Sequence, residues 1–227
     1  VSLFITMLMG GKFIKMLQKL QIGEDIRDLG LDGQLKKKGT PTMGGLIILS
    51  AILIPTLLFA KLSNPYIILL LVATVWLGLI GFADDYIKVF LKNKEGLAGK
   101  FKILGQVTLG IIVAFTLFIS DDVKVRQHVK DENGQNLQEI LVDPRTGEQT
   151  VQYVTEDVKS TVTTIPFVKQ NEFNYKWLVA FAGDASSWLK WIVYALAIIL
   201  IITAVSNAAN LTDGLDGLAT GTSAISG

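Results

Sequence analysis

The chain has no cysteine, which excludes disulfides and thiolate metal sites. It has a single histidine, His128, in a polar segment far from both acidic clusters described below. A solvated loop side chain is the reading that position supports. The formal net charge of +1 is too close to neutral to suggest a nucleic-acid partner. No internal repeat stands out. The scarcity that matters most is local. Charged residues are missing altogether from Gly44 to Ala60, Leu62 to Ala83, Ile103 to Ser120 and Trp191 to Leu211. Hydrophobic residues make up 50% of the chain, an ordinary share, so their segregation is the signal rather than their number. Each charge-free stretch approaches the roughly 17–25 residues that carry a helix across a bilayer.

Val1 to Met9 is also apolar, and Lys12, Lys15 and Lys19 follow at helical spacing. This reads as the end of a first span running into the membrane interface. A signal peptide fits less well, because the charges follow the apolar stretch instead of preceding it. Leu218 to Gly227 reads as the start of a further span. The chain begins with Val and stops within an element, so the expectation is that it is not a complete protein. The fold class expected is an all-α polytopic membrane protein, with about five spans and the start of a sixth.

Three regions follow: 1–120 with four spans, 121–187 as a polar insert, and 188–227 with the fifth span and the start of the sixth. Lys61-Leu62-Ser63-Asn64-Pro65 is a tight reversal by its Asn-Pro step. Pro55 sits inside the second span, where neighbours can re-satisfy the freed backbone. Counting crossings puts residues 21–43, 84–102 and 206–217 on one side, and 61–65 and 121–187 on the other. Lys36, Lys37, Lys38, Lys88, Lys92, Lys94, Lys100 and Lys102 fall on the first side. Lysine excess in short loops marks the cytoplasmic face. The insert alternates in the manner of strands over Val123–Val129, Leu137–Val142 and Thr150–Val154, with turn signals at Asn133-Gly134 and Asp143-Pro144. It is expected to be a small extracytoplasmic β-hairpin or meander that caps the membrane part without chemistry of its own.

Asp84 and Asp85 stand side by side where the apolar run Tyr66–Ala83 ends. Surface Asp-Asp pairs are common, and an idle helix cap is the bland reading. A membrane boundary raises the stakes, because paired carboxylates repel each other and resist leaving water without a partner. Mg²⁺ suits them, since it takes hard oxygen ligands and bridges carboxylates to phosphates. One carboxylate could bind the metal while the other accepts a proton or attacks phosphorus. The spacing leaves open which does which.

A second cluster runs from Asn207 to Gly217. Asn207, Asn210, Asp213 and Asp216 recur every third residue, so a helix would align them as a polar stripe. Gly214 and Gly217 leave room for a ligand to approach the backbone. The bland reading is a helix terminus with an Asp-Gly turn. Four amide or carboxylate groups at a span end favour the functional one. EF-hand chemistry fails on ligand spacing.

Lys36-Lys37-Lys38-Gly39-Thr40-Pro41-Thr42-Met43-Gly44-Gly45 can grip phosphate or anchor a helix on anionic lipid, about equally well. It is not a P-loop, because the lysines precede the glycines and no strand leads in. Gly96-Leu97-Ala98-Gly99-Lys100-Phe101-Lys102 could also hold phosphate, and an ordinary helix entry explains it nearly as well. Phe181-Ala182-Gly183-Asp184-Ala185-Ser186-Ser187 imitates a site motif but falls on the outer side by crossing count, as a loop and helix cap.

Taken in order, Gly39 to Gly45, Asp84 to Lys88, Gly99-Lys100 and Asn207 to Gly217 closely resemble the phospho-N-acetylmuramoyl-pentapeptide transferases. These are bacterial members of the polyprenyl-phosphate N-acetylhexosamine-1-phosphate transferases. The resemblance covers nearly the whole chain except the insert. It implies ten spans in the complete protein and transfer of phospho-MurNAc-pentapeptide from UDP-MurNAc-pentapeptide to undecaprenyl phosphate, giving lipid I and UMP for peptidoglycan. It implies Mg²⁺, a bacterial plasma-membrane location with a cytoplasmic active site, contact with membrane lipid, a homodimer, and nucleoside inhibitors at the same site. Asp84 and Asp85 match the catalytic, metal-binding aspartates of the family. Lys37, Thr42, Lys88, Lys100, Asn207, Asn210, Asp213, Gly214, Leu215 and Asp216 match positions lining the nucleotide and diphosphate site. Whether the lipid phosphate attacks directly or a covalent intermediate forms is disputed for the family.

Two departures accompany the resemblance. A later Phe-x-Gly-Asp segment, whose aspartate binds metal, and a histidine-rich loop are absent from this chain, so it is expected to be inactive alone. Gln34 stands where many members have histidine. The neighbouring reading is a sister transferase that uses UDP-GlcNAc. A reading from another class is an ion-coupled transporter, which needs its aspartates near the membrane midplane and facing a cavity.

Overall fold

The computed structural model describes residues 1–19, 43–93, 95–129, 131, 135–142, 149–164, 172–213 and 218–226. Among the described residues six α-helices follow in chain order: α1 (Ser2–Lys19), α2 (Gly45–Phe59), α3 (Pro65–Val89), α4 (Gly99–Ile119), α5 (Ser186–Asp213) and α6 (Leu218–Ser226). Six short strands among those residues lie between α4 and α5: β1 (Val125–His128), β2 (Gln138–Val142), β3 (Gln149–Tyr153), β4 (Thr155–Val158), β5 (Val162–Thr164) and β6 (Glu172–Asn174). By its contacts the chain divides into two units, Val1–Ala114 with Ala197–Gly227, and Phe115–Leu196.

The helices start and stop for local reasons. The Asn64-Pro65 step is a helix entry: the Asn64 Oδ1 accepts the Tyr66 N–H at 2.9 Å, and Pro65 occupies the first helical position, where its missing N–H is not needed. Helix α2 continues across Pro55 to Phe59, with the Thr56 hydroxyl donating to the Ile52 carbonyl at 2.7 Å. Its entry is tighter. Met43 takes a left-handed φ of 68° and is buried with Leu17, and Phe13, Leu46 and Val89 pack around them. That cluster joins α1, the start of α2 and the end of α3.

Among the described residues, three helices are long and apolar enough to cross a membrane: Pro65–Val89, Gly99–Ile119 and Trp188–Thr212. Their side chains turn apolar surface outward. Leu70, Leu79, Ile111, Phe115, Leu196 and Leu200 are each more than half exposed. A water-soluble protein rarely shows such continuous apolar surface, whereas lipid tails accept it. This is the surface of a polytopic membrane protein. The two remaining expected spans are less complete here. Helix α2 has 15 residues, so it measures about 22 Å against a hydrocarbon core of about 30 Å. Helix α1 carries Lys12, Lys15 and Lys19 along its second half.

The first unit is tied together where side chains are small or polar. The Trp76 indole N–H on α3 donates to the Gly105 carbonyl on α4 at 2.9 Å. On the far side of α4, a Cβ at Gly110 would stand 2.9 Å from the Ile199 Cα on α5. Close helix approach at glycine is how helices gain packing in lipid, where no hydrophobic force draws them together.

In the second unit the strands pair antiparallel as β1–β4, β2–β3 and β5–β6. Arg126 stands opposite Asp157 in the first pair, with its Nε 3.2 Å from the carboxylate. The Val129 N–H donates to the Val154 carbonyl, and Leu137 and Val154 N–H groups donate to Val129 and Leu137 in turn. These bonds run the first pair into the second. Residues Tyr175–Ala185 form a 3₁₀ segment leading into α5, broken at Gly183 (φ 54°, ψ −126°). The residues imitating a site motif, 181–187, therefore make the entry to a helix. Phe118, Trp191, Tyr194 and Tyr175 form a chain of edge-to-face ring contacts beside the strands.

Candidate active site

Helix α3 runs past the acidic pair by one turn and ends at Val89. At a rise of about 1.5 Å per residue, Asp84 lies about 28 Å along the axis from Pro65. That is close to the full hydrocarbon thickness of about 30 Å, so a span that begins at Pro65 carries the pair to its opposite boundary and not to the midplane. Neighbouring residues on a helix point about 100° apart, and the two aspartates meet different surroundings. Asp84 is buried, at 9% exposure, whereas Asp85 is half-buried.

Asp84 is held by three donors. Its Oδ2 lies 2.9 Å from the Lys88 Nζ, one turn further along α3. Its Oδ1 lies 2.8 Å from the Lys102 Nζ on α4 and accepts the Leu97 N–H at 2.8 Å. Two cations against one carboxylate offset the cost of holding that charge away from water. The loop after α3 is shaped to deliver the Leu97 N–H. The Asn93 Oδ1 accepts the Glu95 N–H, the Gly96 N–H donates to the Asn93 carbonyl, and Gly96 takes a left-handed φ of 68°. A Cβ at Gly96 would stand 2.5 Å from the Asp84 Oδ1 and 2.7 Å from the Lys88 Cε. Glycine is required there twice over, by φ and by space. Lys100 is exposed, with its Nζ 5.3 Å from the Phe101 ring centre.

The second cluster occupies the end of α5. Asn207, Asn210 and Asp213 fall in its last two turns at the spacing that shares a helix face. The Asn207 Nδ2 donates to the Gln106 Oε1 on α4 and to the Thr203 carbonyl, each at 2.8 Å. The Gln106 Nε2 donates to the Ser206 Oγ at 3.1 Å, and Gln106 is only 5% exposed. Asn210, one turn on, is exposed. Lys37, Thr42, Gly214, Leu215 and Asp216 lie outside the described residues, and of Asp213 only the backbone is described.

Helix α4 brings the two clusters together. Lys102 reaches Asp84, and Gln106 reaches Asn207. These two α4 residues are one turn apart, about 6 Å along the axis. Gln106 was not among the site residues expected from sequence, and Lys102 was read only as part of a loop that could hold phosphate. Gln106 sits inside a charge-free run and reads there as an incidental polar residue. Its signal is the four-residue spacing from Lys102, which puts both on one face at the start of an apolar helix.

The donor set suits a small hard cation that keeps water and phosphate oxygens as its other ligands, as Mg²⁺ does with one or two carboxylates. Among the described residues no three His, Cys, Asp or Glu side chains gather as a closed cage. Both Asp84 oxygens face ammonium groups. Lys88, Lys100 and Lys102 gather positive charge around the end of α3 and the start of α4.

Residues 152–227 match the model of glycosyl transferase family 4, and residues 37–49 match the phospho-N-acetylmuramoyl-pentapeptide-transferase signature 1. The chain is 57% identical over 227 residues to a phospho-N-acetylmuramoyl-pentapeptide-transferase of Parabacteroides distasonis, covering 100% of the chain and 52% of the relative. It is 51% identical to the same-named protein of Flavobacterium psychrophilum and 50% identical to that of Porphyromonas gingivalis, again over 100% of the chain and 53% and 52% of the relatives. The chain thus spans about half the length of the curated relatives it matches. Its likeness to this family runs along all of the residues given.

Proposed function

We propose that this chain forms part of a phospho-N-acetylmuramoyl-pentapeptide transferase. The whole enzyme moves phospho-MurNAc-pentapeptide from UDP-MurNAc-pentapeptide to undecaprenyl phosphate, releasing UMP and leaving lipid I in the membrane. The observation that carries this reading is the single turn of α4 that joins the lysine-clamped Asp84 to the amide stripe of α5. That juxtaposition puts cations, carboxylates and amides at one end of the membrane helices, as a phosphoryl transfer between a soluble nucleotide and a lipid requires.

The roles divide by environment. Lys88, Lys100 and Lys102 neutralise diphosphate charge, with Lys37 and Thr42 from the preceding loop. Asn210, Asp213, Gly214, Leu215 and Asp216 line the nucleotide side. Asp84 positions its two lysines and the 96–102 loop. Asp85 takes the proton from the acceptor phosphate or attacks phosphorus. Asp85, and Asp84 where its lysines turn to phosphate, would hold a magnesium ion, which would supply further positive charge to the diphosphate. The lysines of α3, α4 and the loop between them support a cytoplasmic site in the bacterial plasma membrane.

The test is Mg²⁺-dependent UMP release by the full-length protein supplied with UDP-MurNAc-pentapeptide and undecaprenyl phosphate, with UDP-GlcNAc as the competing donor. The reading expects turnover with the muramoyl donor and its loss in Asp85→Asn. Full turnover in that variant, or labelling that put residues 85 and 210 on opposite faces of the bilayer, would remove it.

A further inference from the structure

Asn207 matches the substrate-lining positions of the family by motif, yet its surroundings give it other work. An asparagine amide has two N–H donors. Both are occupied within the protein: one Nδ2 bond goes to the Gln106 Oε1 and the other to the Thr203 carbonyl. Gln106 in turn holds the Ser206 hydroxyl and is nearly sealed from solvent. One turn further along α4, Gly110 lets the Ile199 backbone of α5 come into contact. Polar bonds and a small residue therefore fall on one seam between α4 and α5. The next amide on the stripe, Asn210, is exposed.

We infer that Asn207 is a positioning residue: with Gln106 and Ser206 it locks α5 to α4, and thereby sets where Asn210 and Asp213 stand relative to the Lys102–Asp84 clamp. This deepens the proposed transferase reading and rests on it for the catalytic consequence. The lock itself stands on the hydrogen bonds. In the apolar interior of a membrane protein, such bonds between helices fix relative rotation, because an unmade amide has no water to turn to. A substrate contact and a positioning contact differ in what they move. Losing a contact to the nucleotide weakens its binding. Losing the lock leaves the binding surface in place and misaligns the reacting groups, which lowers kcat.

The experiment compares Asn207→Leu, Gln106→Met and the double variant in the full-length protein. Each is measured for kcat, KM for UDP-MurNAc-pentapeptide, and thermal unfolding midpoint in detergent. Each single variant should lower kcat by about three- to twentyfold, the range of one interhelical side-chain hydrogen bond. KM should change by less than about twofold, and the double variant should be no worse than the poorer single. The unfolding midpoint should fall in the same non-additive pattern. Ser206→Ala removes one hydroxyl and is the mildest disturbance, so it should still fold and lower kcat a few-fold with KM unchanged. A KM raised severalfold by Asn207→Leu alone, effects that multiply in the double variant, or an unchanged kcat in Ser206→Ala each overturn the assignment. The midpoints separate the two hypotheses. A protein that releases no UMP yet shows coupled midpoints would refute the transferase reading and keep the lock.

Discussion

Gly96→Ala should damage this protein far more than a methyl group normally does. Two independent terms add. A left-handed φ of 68° costs an L-residue about 1–2 kcal/mol relative to glycine. The new Cβ would also sit 2.5 Å from the Asp84 Oδ1 and 2.7 Å from the Lys88 Cε. The lysine stem can swing away. The aspartate is short, fixed on a helix and held at both oxygens, so relieving that contact means giving up the Leu97 N–H or the Lys102 ammonium. A hydrogen bond to a charged group contributes about 1.5–3 kcal/mol. Together the change should cost about 3–5 kcal/mol in the placement of the 96–102 loop, equivalent to roughly a hundredfold or more in kcat/KM if that loop must be in place for turnover. The assay is UMP release by the full-length protein, run beside a thermal unfolding curve. Gly81→Ala is the control. It lies one turn before Asp84 on the same helix, has nothing within 4 Å of its would-be Cβ, and should gain about 0.5–1 kcal/mol of helix stability. If the two alanine variants turned over alike, the glycine-shaped clamp would not be what holds the loop.

Asp84→Asn and Asp85→Asn should separate. The first leaves two lysines facing a neutral amide and should lower both turnover and unfolding midpoint, while the second, at a half-buried position, should reduce turnover by about 10²–10⁴-fold with a smaller fall in the midpoint. Equal midpoints for the pair would contradict their different burial. Lys102→Met should reduce kcat about tenfold and Lys102→Arg should recover part of it, because the arginine fork can still reach the Asp84 Oδ1; equal losses in the two would place Lys102 outside the clamp. Gly110→Ala should lower the unfolding midpoint by several degrees, since its methyl would press on the Ile199 main chain, an overpacking worth about 1–3 kcal/mol. A midpoint at or above that of the parent would show that α4 and α5 do not approach so closely.

Much of the architecture is readable from missing charge. The runs Leu62–Ala83, Ile103–Ser120 and Trp191–Leu211 each lie within or nearly within a helix long enough to span a bilayer, because only apolar side chains can face lipid. The Asn64-Pro65 step marks the start of α3 because both residues act through the backbone beside them, which needs no distant partner. Helix ends are harder. The aspartates look terminal in sequence, yet α3 continues through them to Val89, since Lys88 and Lys102 neutralise Asp84 and remove the reason to stop. The candidate positions Asp84, Asp85, Asn207 and Asn210 stand out in sequence because polar residues there interrupt apolar surroundings. Gln106 escapes such a reading, as does the contact of Lys102 with Asp84. Their importance comes from partners 101 and 18 residues away in the chain (207 − 106 and 102 − 84), and no local pattern records a contact of that range.

Because Lys102 and Gln106 project from one side of α4, that helix works as a shared axle for both halves of the site. Spinning it by a single residue's worth of turn, about 100°, would unhook the carboxylate and the amide in the same motion. The two contacts cannot then drift apart by small independent steps: they either stay in gear or disengage as a pair.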